Sequence, residues 1–347
     1  MFKNLSIVLV FLLSAPFALA DIATPLERPA TQDLDHALTN RLLTIDLVGD
    51  RLVAAGRRGH ILTSDDAGLS WEQRPVPVAS DLVASDFRSD QLGWVVGHDG
   101  VVLKTEDGGE TWRKMLDGRQ AAEVIKKYRE THSDLSEEAL YEYERFEMEG
   151  SDKPFLTVHF MDDDRGVVLG AFNYAFLTED GGQTWIPFSH RIDNPMGYHI
   201  YSAFEHAGVL YAVGEKGLVL RWDEESERLV AVESPYQGSW FAGVSLGQEL
   251  LLVGLRGSAY YGSPESGWQR LELTEDSINN VVAISADAAL LVGQSGKVFR
   301  IDRQGNGFSS QELSSGGMPI YDAALAGDAL VIVGLRGARR LPLQNNQ

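Results

Sequence analysis

One short pattern recurs along almost the whole chain: an apolar run followed by Gly-x-x-Gly. It starts at Gly56 (GRRG), Gly97 (GHDG), Gly214 (GEKG), Gly254 (GLRG), Gly293 (GQSG) and Gly334 (GLRG), with a variant at Gly170 (GAFN). Consecutive starts lie 41, 73, 44, 40, 39 and 41 residues apart, so one long interval marks a single insertion. A unit of this length cannot bury its apolar face alone and must stack on copies of itself. Seven units of roughly 40 residues predict an all-β chain, a seven-bladed β-propeller of four-stranded blades.

The pattern inside one unit agrees. From Asp81 to Leu116, LVASDF, GWVVG, VVLKT and WRKML read as four strands separated by turn residues. The Gly-x-x-Gly falls between the second and third strands, where glycine would supply the positive φ of a primed two-residue hairpin turn.

A second motif falls between the third and fourth strands. It reads KTEDGGETW at Lys104–Trp112, with near-copies LTSDDAGLSW at Leu62–Trp71 and FLTEDGGQTW at Phe176–Trp185. This is an Asp-box. Asp66, Asp107 and Asp180 are placed to accept from turn amides. Gly68, Gly109 and Gly182 turn the chain, and Trp71, Trp112 and Trp185 pack between blades. Later units keep only traces of it, such as SPESGW at Ser263–Trp268. A catalytic motif would not be used three times and then abandoned, so the box reads as a structural joint.

The ends and the insertion complete the domain plan. Residues 1–20 have Lys3, an apolar run and Ala18-Leu19-Ala20, the pattern of a signal peptide cleaved after Ala20. The expectation is therefore an exported, periplasmic protein, with one propeller over 21–347. The last unit lacks a fourth strand, and TPLERPA (24–30) resembles the fourth strand of the first unit. It is expected to complete the last blade and leave no open edge. Residues 118–153, between blades 2 and 3, are rich in helix formers and read as a helical hairpin, the only helical part of the chain. Asp134 and Glu137 have capping-box spacing. Val124, Ile125, Tyr128, Leu140, Tyr143 and Phe146 give the helices an apolar side to dock on the propeller or on a partner.

Composition then bounds the chemistry. The chain has no cysteine, which excludes disulfides, thiolate metal sites and cysteine nucleophiles. A net charge of −20 disfavours nucleic acid and anionic lipid as partners. No stretch after the leader approaches the length of a membrane span.

Strand order puts the Gly-x-x-Gly tips and the interblade links on one face, and the Asp-boxes on the other. The variable tip positions hold Arg57, Arg58, Lys216, Arg256 and Arg336 against Asp99 and Glu215. Positive tips on an acidic protein suit an anionic ligand or an acidic partner segment; alternatively, these arginines pair locally and only stabilise turns. His98, Phe172 and Tyr174 belong to the same tips, and His199, Tyr236 and Trp240 to the adjoining links. Arginine with aromatics is the usual makeup of an interface hot spot.

The repeated tips followed by T-x-D-G-G-x-T-W resemble the photosystem II stability/assembly factor family, part of the wider neuraminidase-repeat propellers. The resemblance covers Leu43 to Leu341 apart from the hairpin. It implies a seven-bladed, non-enzymatic assembly or accessory factor that binds membrane-protein segments, with an arginine patch in that role. Carried onto this chain, the patch is Arg57, Arg58, Arg256 and Arg336, with Arg339 and Arg340 beside them. The hairpin departs from the family's core pattern, and nothing in the sequence marks a photosynthetic host. The partner the resemblance implies is a membrane protein or membrane-associated complex, with a transporter as one candidate.

The alternative is a glycoside hydrolase of the sialidase-like propeller type. A sialidase needs a Tyr nucleophile paired with Glu, an acid/base Asp and three arginines on a six-bladed ring. Here the period gives seven blades, and the nearest string to Phe-Arg-Ile-Pro is Val298–Asp302, which ends in Asp. Asp81, Asp86 and Glu205 are the carboxylates placed to approach a central channel, without a convincing pair. His98, His159, His190, His199 and His206 lack zinc-site spacing. The reading therefore has no catalytic residues, no metal and no cofactor.

Overall fold

Each apolar run becomes a strand, and each unit a meander. Unit two gives strands Leu82–Phe87, Gly93–Gly97, Val102–Thr105 and Arg113–Leu116, paired antiparallel in sequence order. The computed structural model describes residues 24–305 and 307–342. In it, seven such sheets form a seven-bladed β-propeller, with blades over 42–74, 82–116, 155–187, 200–231, 240–270, 278–315 and 320–342. The second strand of each blade is the most apolar. In blade 7 all six residues of Ala329–Gly334 are buried, as a strand covered on both faces requires. The expected signal peptide lies outside the described residues. Among these, no helix is long and apolar enough to cross a membrane.

The ring closes differently from the sequence expectation. Among the described residues blade 7 has three strands, and residues 24–30 do not pair with it. Pro25–Glu27 instead forms a single 3-10 turn, and the segment runs along the outer edge of blade 1. The Ala30 N–H donates to the Val76 carbonyl at 3.0 Å, and the Ala79 N–H to the Pro25 carbonyl at 2.8 Å. Pro25 and Pro29 lack the N–H groups that a ladder needs. Leu26 and Ala30 find burial beside Val76 and Val78. The chain then forms a short helix, α1 (Leu34–Thr39), whose Leu38 carbonyl lies close against Gly337 of blade 7.

Closure itself comes from side chains. Leu42, Ile45 and Leu52 of blade 1 share a core with Ala324, Val331 and Val333 of blade 7. Asp322 of blade 7 accepts from the Ile45 N–H at 3.0 Å and the Thr44 hydroxyl at 3.3 Å.

The insertion is a helical hairpin of α2 (Gly118–Thr131) and α3 (Glu137–Glu149), so with α1 the chain has helix outside the insertion as well. Asp117 caps α2 by accepting from the Arg119 and Gln120 amides. Ser136, rather than Asp134, caps α3, accepting from the Ala139 N–H at 3.2 Å, while Glu137 is already inside the helix. Ile125, Tyr143 and Phe146 are buried against Phe155 and Tyr174 of blade 3. The Tyr143 hydroxyl bonds His190 Nδ1 at 2.6 Å, and Arg129 ties the helices together through Glu144 and Glu147. The apolar side therefore docks on the propeller.

Candidate functional site

Six tips are three-residue turns, and the blade 7 tip is a two-residue loop, Leu335 and Arg336, in which neither residue has the positive φ of a primed turn. In blade 1, Gly56 N–H donates to the His60 carbonyl across Arg57, Arg58 and Gly59. Gly56 itself is extended, with φ −173°. Its role is close approach: a Cβ there would stand 2.3 Å from the Arg41 carbonyl oxygen. That carbonyl accepts from the Arg57 N–H at 3.0 Å. The same bond recurs in every blade, from His98 to Asp81, Ala171 to Pro154, Glu215 to His199, Leu255 to Ser239, Gln294 to Ser277 and Leu335 to Pro319. Each tip is thus pinned over the start of its own inner strand.

The apex residue takes the left-handed region in five blades, at Arg58, Asp99, Phe172, Lys216 and Arg256. Several apices also reach the next blade. The Arg58 N–H donates to Asp81 at 2.8 Å, the Phe172 N–H to His199 Nδ1 at 2.9 Å, and the Arg256 N–H to Ser277 at 3.2 Å.

These links fix where the expected residues stand. Arg57, Arg58, His98, Arg256 and Arg336 are exposed at tips. Arg57 faces Asp81 at 3.4 Å. Arg58, Arg256 and Arg336 have no ion-pair or side-chain hydrogen-bond partner among the described residues. Arg336 and Arg339 line a cavity of about 240 Å³ with Met318 and Leu335. Arg340 points to the opposite face, where it meets Asp328 at 2.8 Å and the Ala67 carbonyl of an Asp-box.

The aromatic set divides. Phe172 is 47% exposed and packs edge-on to His199. Tyr236 is half-buried, donating to the Leu255 carbonyl beside Arg256 at 3.2 Å. Tyr174 and Trp240 are buried, at 4% and 0% exposed, and belong to the core instead of the surface. Tyr174 stacks on Phe155, and Trp240 Nε1 donates to Ser234 at 3.0 Å.

On the other face the three Asp-boxes are internally satisfied. Asp180 accepts from the Thr178 hydroxyl and from both the N–H and the hydroxyl of Thr184, at 2.9, 2.8 and 2.6 Å. Asp66 and Asp107 repeat this with Ser64 and Ser70, and with Thr105 and Thr111. The Ser70 hydroxyl and amide hold Asp66 down at about 2. Gly68, Gly109 and Gly182 each sit against the preceding blade, at Val331, Val53 and Trp94. Trp112 and Trp185 are buried, while Trp71 is half-buried. These groups are committed to holding blade on blade.

The central channel is a cavity of about 640 Å³ lined by the innermost strands. Of the carboxylates expected near it, only Asp86 lines it. Asp81 is at the tip face, and Glu205 is exposed. Two residues missed from the sequence, Asp46 and Asp322, line it as well. Each was legible as the lone charge in an apolar strand. All three serve as acceptors between blades: Asp46 from Ser85, Asp86 from the Phe160 N–H, and Asp322 from blades 1 and 6. Burial pushes Asp46 and Asp86 up to about 6 and Asp322 to about 7. Among the described residues no group of three or more His, Cys, Asp or Glu is placed to hold a metal ion.

Comparison with known proteins finds partial sequence matches and a shared fold. A family model described as photosynthesis system II assembly factor YCF48 matches residues 69–128. The chloroplastic photosystem II stability/assembly factor HCF136 of Cyanidioschyzon merolae is 37% identical over 93 residues, 25% of this chain and 21% of that protein. The photosystem II assembly lipoprotein Ycf48 of a Synechococcus strain is 29% identical over 65 residues, 18% of this chain and 19% of that protein. The matches thus span about a fifth of these curated relatives. Among solved structures, YCF48 from Cyanidioschyzon merolae aligns with a TM-score of 0.62 at 16% identity, covering 89% of this chain and 97% of that one. YCF48 bound to D1 peptide aligns with a TM-score of 0.61 at 14% identity, over 89% and 95%. The WD40 propeller domain of Doa1 gives 0.62 at 9% identity, over 93% and 98%. At such identities the structural likeness establishes the propeller alone. The sequence matches are a partial likeness to photosystem II assembly factors, centred on residues 69–128.

Proposed function

We propose that this protein is a non-catalytic accessory or assembly factor that holds an acidic segment of a membrane protein complex against its tip face. The observation that carries the reading is the set of exposed arginines at Arg58, Arg256 and Arg336. They lie on one face of an acidic molecule, without side-chain partners among the described residues. A guanidinium left unpaired keeps its five donors for an incoming carboxylate. The tips are pinned by backbone bonds, so little order is lost when a partner docks. His98, Phe172, His199 and Tyr236 would border the contact, and Arg57 would join it by exchanging Asp81 for the partner. Tyr174 and Trp240 would act from beneath, through the rings they support. Relatives named as assembly factors, one of them solved with a D1 peptide, fit this role. The leader-like pattern over 1–20 fits an exported protein acting on a membrane complex, a transporter among the candidates. The channel carboxylates and the Asp-boxes already have structural work, which favours a binding role over glycoside hydrolysis.

The test is binding of a fluorescent peptide rich in Glu and Leu to the wild type and to Arg58→Glu/Arg256→Glu/Arg336→Glu. The triple variant is expected to bind at least about tenfold more weakly. Equal affinity would remove the arginines from the contact and the proposal with them.

A further inference from the structure

The helical hairpin does more than cover blade 3. Between α3, the blade 3 tip and the link at 189–198 it leaves a groove of about 750 Å³. The hairpin is inserted once, so no other blade has this groove.

Its floor is polar and ordered. Asn173, Ser189 and Asn194 are 2%, 2% and 3% exposed. Asn173 donates to Glu142 at 3.0 Å and to the Ser189 carbonyl at 3.2 Å, and Asn194 donates to Asn173 at 3.1 Å. Ser189 lines the groove, and its hydroxyl, buried just beneath the surface, has no hydrogen-bond partner. A buried hydroxyl left unpaired costs free energy, and a ligand amide or carbonyl would satisfy it.

Its walls are apolar where they meet solvent. Tyr141 and Met196 are 68% and 70% exposed, and Phe172 is 47% exposed. Phe172 also holds a φ of 57° and Asn173 a φ of 66°. The left-handed apex is the one shared by five tips, and in blade 3 the residue that occupies it is an aromatic lining the groove. The charge balance is negative: Glu137, Glu138, Glu142 and Asp193 face Arg145 and Arg228. Arg145 is already engaged with Glu149 and the Phe172 carbonyl. Burial raises the Glu142 carboxyl above its ordinary value, and an arriving cation would offset that burial.

We infer that this groove is a second recognition site, taking an extended polypeptide segment with a bulky apolar side chain next to a lysine or arginine. The apolar side chain packs between Tyr141, Phe172 and Met196, the cation meets Glu142, and the segment's backbone reaches the Ser189 hydroxyl. Its preference is opposite in sign to that of the arginine tips, and it stands or falls without them.

Fluorescence anisotropy with two labelled peptides tests this: acetyl-Gly-Lys-Phe-Lys-Leu-Gly-amide and its counterpart with Glu for Lys. The lysine peptide should bind, and the glutamate peptide at least about tenfold more weakly. Ser189→Ala removes a hydroxyl that bonds nothing in the fold, so it should leave thermal unfolding unchanged while weakening the lysine peptide several-fold. Met196→Ser with Glu142→Gln should weaken it about tenfold, and Arg256→Glu should leave it unchanged. Equal binding of the two peptides would overturn the inference. So would wild-type binding by Ser189→Ala and by Met196→Ser with Glu142→Gln, or no binding up to about 1 mM.

Discussion

Acidification should strengthen the seam between blades 7 and 1 through Asp322. This carboxylate lines the channel, is 7% exposed, and accepts from Ile45, Thr44, Ala323 and Asn280. Burial, with Asp46 nearby, lifts it from 3.8 to about 7. The folded state therefore holds a proton that the unfolded chain releases. The stabilisation is fully present below the unfolded value and is lost as pH rises through about 7. Between about pH 7 and pH 5, one proton of linkage at about 1.4 kcal/mol per pH unit amounts to about 2 to 3 kcal/mol. Asp46 and Asp86, each raised to about 6, add to it in the same direction. Half-buried His159 and His190, each lowered to about 4 by the burial of their rings, oppose it, because the unfolded chain takes up those protons. The total curve is thus a small difference of larger contributions, and a variant isolates the seam. Asp322→Asn sets an amide N–H₂ among four donors, so it is less stable throughout, but it no longer titrates. Urea unfolding followed by tryptophan fluorescence at about pH 8, 6.5 and 5 measures both proteins. The stability gap should widen by about 2 to 3 kcal/mol on acidification. Curves parallel to within about 0.5 kcal/mol would mean that Asp322 is ionised throughout, and the reasoning would fail.

Two further outcomes follow from the geometry. Gly97→Ala puts a Cβ about 2.0 Å from the Asp81 carbonyl oxygen; it should lower stability by about 3 kcal/mol, seen as a fall in Tm, because the tip must lift off its own strand. Phe146→Ala empties a site 2% exposed under the hairpin. It should cost about 3 to 5 kcal/mol locally and speed amide exchange in α2 and α3 while the blade strands stay protected.

The period of the tip motif carries the blade count, because a two-sided buried strand must repeat wherever a blade does. Strand limits in blade 2 follow from its turn residues almost to the residue. What the sequence does not reveal is what touches what. TPLERPA looks like a strand by analogy, yet its two prolines and the burial of Leu26 and Ala30 send it to blade 1. The first glycine of each tip reads as a turn former, but the constraint is a carbonyl from 15 residues earlier in blade 1, at Arg41. Tyr174 and Trp240 sit beside surface residues in sequence, and only the stacking of blades and hairpin shows them covered. The groove residues were out of reach, since Glu142, Asn173 and Ser189 come from three elements that meet only in three dimensions.

The seam has one last consequence. Among the described residues no sheet of this ring borrows a strand from the far end of the chain, so each wedge described is built from one uninterrupted stretch of polypeptide. The covalent break could be moved to another link, for instance between residues 231 and 240, and the old ends joined, without dividing any sheet.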